Sequence, residues 1–510
     1  MKTVSNRDLG VVWLKRDLRL YDHEALQMAL RHEKTLLVFS FEPILLEDDH
    51  YSLRHFRFIA ESLQDIDQRL SPFKTKVCVL FLPVISVFNY LKDSFGAFTL
   101  YSHLEVGINK TYQRDIEVNK WCRTNNVSWY EITQNGISRG LQNRKGWSEN
   151  WESYMKKHIN EVQIRPSQMV CFSEIEKIES DLQPDFPSNK FGAYHLSHFL
   201  EKNQCFQKGG TTEGLRYLNS FLDHRHVSYT YNISKPHNSR DSCSRLSPYI
   251  AWGNLSVRHV WQEAKQHRPH SNNKKSLDQF TSRLRWQSHF IQKFESECTM
   301  EFKSVNRAYH SLLKNHNEDK LNAWESGQTG IPIVDASMRC LQQTGYLNFR
   351  MRALVVSFAT HLLWLPWQSI AKVLSRWFLD FEPGIHYPQL QMQAGETGIN
   401  QIRIYNPIKN SYQHDSEAQF ILKWIPELST IPSNLVHEPY LLTPLESSFY
   451  QFEIGKDYPK PIIDLNKSRK FAADTLYAFQ KQKVTQKEGL RILEKHTMPD
   501  RKAWSNANNG

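Results

Sequence analysis

The sequence predicts an α/β N-terminal domain built on a parallel, Rossmann-like sheet, followed by an all-helical domain. Three observations carry that expectation. Over about residues 8–135, short apolar runs of the buried-strand type alternate with amphipathic helix patterns. From Phe191 onward strand patterns nearly vanish and apolar residues recur at helical spacing. A chain of 510 residues is also too long for one core, so two or three domains are expected.

The strands are read at residues 10–14 (GVVWL), 35–41 (TLLVFSF), 76–82 (KVCVLFL), 98–101 (FTLY) and 127–132. Between them, Ala25, Leu26, Ala29 and Leu30 mark a first helix, and helices follow at residues 54–70 and 110–123. In such a sheet ligands bind beyond the carboxyl ends of the strands, where the loop His103-Leu104-Glu105 lies. Neither GxGxxG nor GxxxxGK[ST] occurs, which argues against a dinucleotide fingerprint or a P-loop here. Residues 136–190 read as a connection with prolines at 166, 184 and 187.

Beyond it, Gly209-Gly210 precedes a helix carrying Leu215, Leu218 and Leu222, and further helices are expected at residues 257–266, 277–297 and 319–326. Pro332 suits a first helical turn and Gly345 a helix stop, with Ile333, Ala336, Cys340 and Leu341 at helical spacing between them. A second apolar face runs through Met351, Leu354, Val355, Phe358, Leu362 and Leu363. Pro366 interrupts it, and Trp367, Ile370, Val373, Leu374 and Trp377 begin a third. Residues 380–406 then read as a functional loop on this scaffold. The domains are therefore 1–135, a connection at 136–190, 191–495, and a polar tail at 496–510.

Composition is globular, with 40% hydrophobic and 23% charged residues, which excludes a disordered or fibrous chain. A net charge of +11 favours an anionic partner, nucleic acid or a phosphate-bearing ligand. The seven cysteines are scattered, the closest pair 34 residues apart, so no CxxC motif exists and free thiols in a reducing compartment are expected. The N-terminus lacks a signal-peptide run, and the most apolar stretch, 351–367, carries Arg352 and His361. A cytoplasmic protein outside the membrane is the expectation.

Four groups of residues point to chemistry. Ser242-Cys243-Ser244-Arg245-Leu246-Ser247 sets hydroxyls and a guanidinium before Pro248, as a diphosphate at a helix start requires; an ordinary N-cap cluster reads the same way. Asp380 and Glu382 suit acceptors for a ribose, or a helix end turning at Pro383-Gly384. Arg350 and Arg352 open an apolar helix where cations oppose the helix dipole, which calls for a carboxylate such as Asp380 or a bound anion. Arg283-Leu284-Arg285-Trp286 joins two cations to an indole, suited to stacking and phosphate contact, or to a solvated helix face.

Together these pieces resemble the DNA photolyase and cryptochrome superfamily over about residues 8–430. WLKRDLRLYDHEAL is similar to its opening strand–loop–helix and SRLSPYIAWGNLS to its flavin-phosphate loop. AWESGQTGIPIVDASMRCLQQTGY, RIYNP and WIPEL are similar to its signature blocks. The resemblance implies an antenna chromophore, folate-type or other, in the α/β domain and a non-covalent, U-shaped FAD in the helical domain. It places Tyr231, Cys243 (where Thr is usual), Ser244, Arg245, Leu246, Ser247, Phe280, Trp286, Phe349, Arg352, Asp380 and Glu382 at FAD-contact positions. Glu105 matches an antenna-holding acid, Trp367 the middle tryptophan of the electron chain, and His386 the residue facing flavin N5.

The departures matter equally. Arg283 stands where repair enzymes for cyclobutane dimers carry a lesion-contacting Glu, and Phe349 where they carry Asn. Asn348-Phe349 replaces the paired histidines of (6-4) enzymes, and Leu390 the flavin-proximal tryptophan. Trp364 and Trp377 offer an alternative path for the electron, or core. A carboxylic acid shares a proton with a lesion radical anion and an Arg does not. The expectation is thus a blue-light photoreceptor of the cryptochrome kind, with a signalling protein partner and DNA-binding capacity through Arg240, Arg283, Arg285 and Lys293. The alternatives are a light-dependent photolyase and a DNA-binding regulator whose flavin is structural.

Overall fold

The computed structural model describes residues 8–159, 161–182, 196–200 and 205–497. The expected boundary at 190/191 and most of the polar tail lie outside the described residues. Five parallel strands, β1 (Leu9–Trp13), β2 (Lys34–Ser40), β3 (Cys78–Leu80), β4 (Phe98–His103) and β5 (Ser128–Ile132), form one sheet in the order β3-β2-β1-β4-β5. Leu9 pairs with Lys34 on one side and with Phe98 on the other. Every residue of β1 is buried, as a continuous apolar run demands when helices cover both faces. The Leu53–Leu70 helix closes one face and the Val84–Phe95 helix the other. The strand order reverses between β1 and β4, which opens the crevice where doubly wound sheets take ligands.

The 136–190 stretch is more ordered than a connection. It contains the Trp147–Lys156 and Phe172–Asp181 helices, the first burying Trp147, Trp151 and Met155 at four-residue spacing. Among the described residues from 196 on, the elements are all helical apart from one isolated bridge, Ile454 to Tyr458. The Pro332–Thr344 helix ends at Gly345, left-handed at φ 67°, as its sequence predicts. The next helix, Phe349–Ser357, loosens into a π-turn over Phe358–Leu362, where His361 Nδ1 and Ser357 Oγ are 2.9 Å apart.

Residues 380–406 depart from the expected loop: Pro383–Gln393 is a helix. Two prolines and a glycine read as loop, but Pro383 occupies the first turn and Gly384 lets the helix approach the Lys274–Ser296 helix. A Cβ on Gly384 would lie 2.8 Å from Ile291 Cα, so close packing overrides local propensity.

The two halves are bolted together by β1's loop. Arg16 donates through Nη1 to Phe381 O at 3.0 Å and Ala251 O at 3.3 Å, and its guanidinium lies 4.5 Å from the Trp252 ring. Gly253, at φ 75°, is required here, since a Cβ would sit 2.2 Å from Arg16 O. Cys78, Cys122, Cys171, Cys243, Cys298 and Cys340 are free thiols, and no described helix is long and apolar enough to cross a membrane.

Candidate functional site

The residues expected to grip a dinucleotide converge on one aromatic ring. The Arg245 guanidinium lies 3.8 Å from the Tyr346 ring, Arg240 at 5.7 Å and Arg352 at 6.0 Å. Arg352 Nη2 donates to Asp380 Oδ2 at 2.8 Å, and its Nε donates to Leu347 O. Arg245 is buried and held at φ 59°, with Nη2 on Gln207 Oε1 at 2.8 Å. Three guanidiniums around one buried ring form a strongly cationic nest, and the misfit of Arg352 at its helix start is resolved by Asp380. Arg245 Nε and Asp380 Oδ1 remain buried without a protein partner. Buried polar atoms are rarely left so. A donor left over on Arg245 and an acceptor left over on Asp380 fit a ligand with both anionic and N–H or O–H groups, as FAD has. Tyr346 itself escaped the sequence reading, where it stood only as the last letter of a motif.

The other expected contacts divide. Ser247 opens the Ser247–Ala251 helix with Pro248 in its first turn, and Cys243 and Leu246 are buried beside it. Phe280 turns away into the core, 4% exposed, its ring 4.8 Å from Phe221. Tyr231, Phe349 and Trp286 are exposed at 76%, 45% and 49%, so they form an outer rim and not a buried grip. Arg283 is exposed beside Trp286. Lys293, expected on that basic face, is buried, and burial lowers its ammonium to about 8. It sits on the core side of the Lys274–Ser296 helix, a placement the count of charges does not reveal.

Glu382 parts company with Asp380 and faces the α/β half. Its carboxylate lies 3.4 Å from Arg16 Nη1, which is also near Glu105 (Arg16 Nε to Oε1, 3.8 Å). Burial and the charge of Glu105 push Glu382 up to about 7 against the pull of Arg16. Glu105 is further paired to Arg114 at 2.6 Å. Arg16, Glu105 and Glu382 line a cavity of about 20 Å³, room for one water. Small-molecule sites run to about 300–1,000 Å³, so a folate-type group does not fit at Glu105 as these side chains stand.

His386 lies against Phe381 at 5.2 Å, its Nε2 donating to Ala371 O at 2.9 Å, and burial lowers the imidazole to about 3. It is therefore neutral, with Nδ1 left as an acceptor. Trp367 is fully buried, and its Nε1 donates to Ser304 Oγ at 3.0 Å. Trp364 packs on Phe471 and Trp377 donates to Glu325, so both face outward from Trp367.

Two family models match this chain: "DNA photolyase" over residues 10–138 and "FAD binding domain of DNA photolyase" over residues 280–478. The chain belongs to the DNA photolyase and cryptochrome superfamily. As a member it is 24% identical to the deoxyribodipyrimidine photo-lyase of Alkalihalophilus pseudofirmus, across 91% of this chain and 97% of that one. It is 25% identical to cryptochrome DASH of Synechocystis sp., across 90% and 96%. The crystal structure of a Synechocystis cryptochrome shares the fold with a TM-score of 0.80 at 23% identity, over 93% of this chain and 100% of that one. FAD is accordingly the cofactor of the helical half.

Asp17, His23 and His103 cluster at the carboxyl ends of β1 and β4, their donor atoms within 4.8 Å of one another. They do not make a metal centre. His23 Nδ1 accepts the Leu26 N–H at 3.0 Å, so its Nε2 carries the proton and faces Asp17 Oδ2 at 3.2 Å. His103 Nδ1 donates to the same oxygen at 2.7 Å. Both rings therefore turn an N–H toward Asp17, although only His103 makes an aligned hydrogen bond to it.

Proposed function

We propose that the chain is an FAD-binding, blue-light-responsive photoreceptor of the cryptochrome kind. The observation that carries this reading is an asymmetry: the cationic nest of Arg245, Arg352 and Asp380 is complete, while the rim that would meet a damaged base carries Arg283 and Phe349. Splitting a dimer by electron donation calls for a group that shares a proton with the lesion anion. A guanidinium stabilises charge without giving up its proton, and a phenyl ring does neither.

When bound, FAD supplies blue absorption and the capacity to accept an electron. The chain's own residues do the rest. Arg245 and Arg352 hold the anionic groups, and Asp380 accepts a hydrogen bond from ribose or ring. Neutral His386 offers Nδ1 to whatever proton follows a charge placed beside it. A change in charge there passes to the helix that carries Ala371 and the turn that carries Asp380, and so to a protein partner on the helical surface. The free thiols of Cys78, Cys122, Cys171, Cys243, Cys298 and Cys340 suit a reducing compartment such as the cytoplasm. The test is the absorption spectrum of the purified protein before and after blue light, repeated with ultraviolet-irradiated oligonucleotide. Reversible bleaching of a bound flavin with dimers left intact is expected; a chain without flavin, or a flavin blind to light, sinks the reading.

Repair remains the second reading because Trp286 is half exposed, next to Arg285 in the chain and three residues from exposed Arg283, a platform for a base beside phosphate contacts. Light-dependent loss of dimers from single- or double-stranded DNA would establish it. Under either reading DNA affinity falls steeply with salt, each phosphate contact adding about 0.9 to the log–log slope on duplex. Removing Arg283 and Arg285 reduces that slope, and a flat salt response rejects this surface.

A further inference from the structure

Position 390, where the superfamily resemblance expects a tryptophan next to the flavin, is a buried leucine. Three residues earlier on the same helix, Tyr387 occupies the middle of an aromatic cluster. Its ring centroid is 5.2 Å from His386, 6.2 Å from Trp367 and 5.7 Å from Phe294, and the ring is 2% exposed. The phenolic oxygen leaves the helical half altogether. It lies 2.6 Å from Nε2 of His50, in the loop between the Pro43–Leu46 and Leu53–Leu70 helices of the α/β half.

His50 is placed and polarised for that contact. Its ring stacks on Phe381 at 5.7 Å with an interplanar angle of 6°, and its Nδ1 is 2.5 Å from Asp48 Oδ1. Lys110 pairs with the other Asp48 oxygen at 2.8 Å. Burial works to raise the Asp48 carboxyl, but the hydrogen bonds from His50 and Lys110 hold it well below the ordinary range, so it is an ionised acceptor. Nδ1 therefore carries the imidazole proton, Nε2 is the acceptor, and Tyr387 O–H donates to it. The resulting chain runs Tyr387 to His50 to Asp48 to Lys110, from the buried centre to a half-exposed lysine.

We infer that Tyr387 is a redox site, supplying the electron that the missing tryptophan would supply and handing its phenolic proton to His50. The inference rests on the flavin photochemistry proposed above. The oxidant is the photoexcited, oxidised flavin, which takes one electron. As that electron leaves Tyr387, its O–H bond breaks and an N–H bond forms at His50 Nε2. A neutral phenoxyl remains, and the new imidazolium is held by the Asp48 carboxylate. Returning the electron reverses both bonds.

Burial decides why the vacancy should rest here. An uncompensated cation at a buried ring is costly, and losing a proton to a direct base removes it. Trp367 N–H meets a serine hydroxyl, Ser304, where Tyr387 meets a basic nitrogen. The phenol also links the photochemistry to the junction between the halves. A charge created on His50 appears on the α/β side of the interface, next to Tyr51, which with Arg16 contacts Phe381 across the junction.

The test uses the flavin-loaded chain under blue flashes, with electron paramagnetic resonance reading the amino-acid radical, and nitrogen NMR of the flavin-free chain reading His50. A tyrosyl radical is expected, formed more slowly in heavy water, lost in Tyr387→Phe and lost or much shortened in His50→Gln. In the flavin-free chain the His50 Nε2 resonance is that of a hydrogen-bonded acceptor and shifts in Tyr387→Phe. A purely tryptophanyl radical unchanged by Tyr387→Phe, with the flavin still bleaching, overturns this inference and leaves the photoreceptor reading standing. Absence of any light-induced radical or bleaching overturns both. A His50 Nε2 that carries its own proton overturns the proton path whatever the flavin does.

Discussion

At the scale of single residues, chemistry is decided by which polar atoms are left over. Asp380 has one oxygen on Arg352 and one without a protein partner, with its side chain 6% exposed. Asp380→Asn keeps the shape but removes the charge. We expect it to weaken flavin retention, read as flavin absorbance per chain after gel filtration. It should also lower the stability of the flavin-free chain by about 2 kcal/mol in urea. That is less than the about 3–5 kcal/mol for breaking a fully buried pair, because Arg352 is partly solvated. The residue types were legible in the sequence at Arg245, Arg352 and Asp380, and a pair between Arg352 and Asp380 was one of the two outcomes the helix-dipole misfit called for, the other being a bound anion. Tyr346 and His50 were not legible. Neither carries a motif, and each matters only through a neighbour at distant sequence separation.

At the scale of elements, the alternation of apolar runs and amphipathic helices determined the sheet and the Leu53–Leu70 helix on one face, while the Val84–Phe95 helix on the other went unread, and Pro332 with Gly345 bounded one helix closely. The Pro383–Gln393 helix was hidden because proline and glycine are local signals while the reason for the helix is packing. Gly384 is its weak point. Gly384→Ala puts a methyl 2.8 Å from Ile291 Cα, where a backbone must move. Overpacking of this kind costs about 1–3 kcal/mol, so its denaturation midpoint should fall. An unchanged midpoint would mean the two helices are free to separate. Since this helix carries His386, Tyr387 and, at its cap, Glu382, light responses should weaken along with stability.

At the scale of the whole molecule, burial sets the pH response. Burial lowers His55 and His361 to about 3, and His103 and His496 to about 4. Each is neutral when folded and takes a proton near 6.5 when unfolded, so the unfolded chain binds more protons between those values and stability falls as pH falls. Each of these histidines contributes up to about 1.4 kcal/mol per pH unit below 6.5. Glu382, pushed up to about 7, and Asp67, to about 6, act oppositely, since the folded chain then holds the extra proton. With His386, also lowered to about 3, five histidines stand against these two carboxyls among the groups shifted furthest, which gives a net loss from pH 6.5 toward 4, measurable as the thermal midpoint of the flavin-free chain. A midpoint that rises over that range would contradict it.

What the sequence by itself determined is the order of elements, the existence of two halves and the residue types of a dinucleotide grip. These follow from period, capping and motif, all of which are local. Tertiary structure alone decided that Lys293 and Phe280 are core, that Glu382 and Glu105 share Arg16 across the junction, and that Tyr387 meets His50. Burial and pairing between residues hundreds of positions apart depend on how two helices and a sheet pack, and no local pattern encodes that distance.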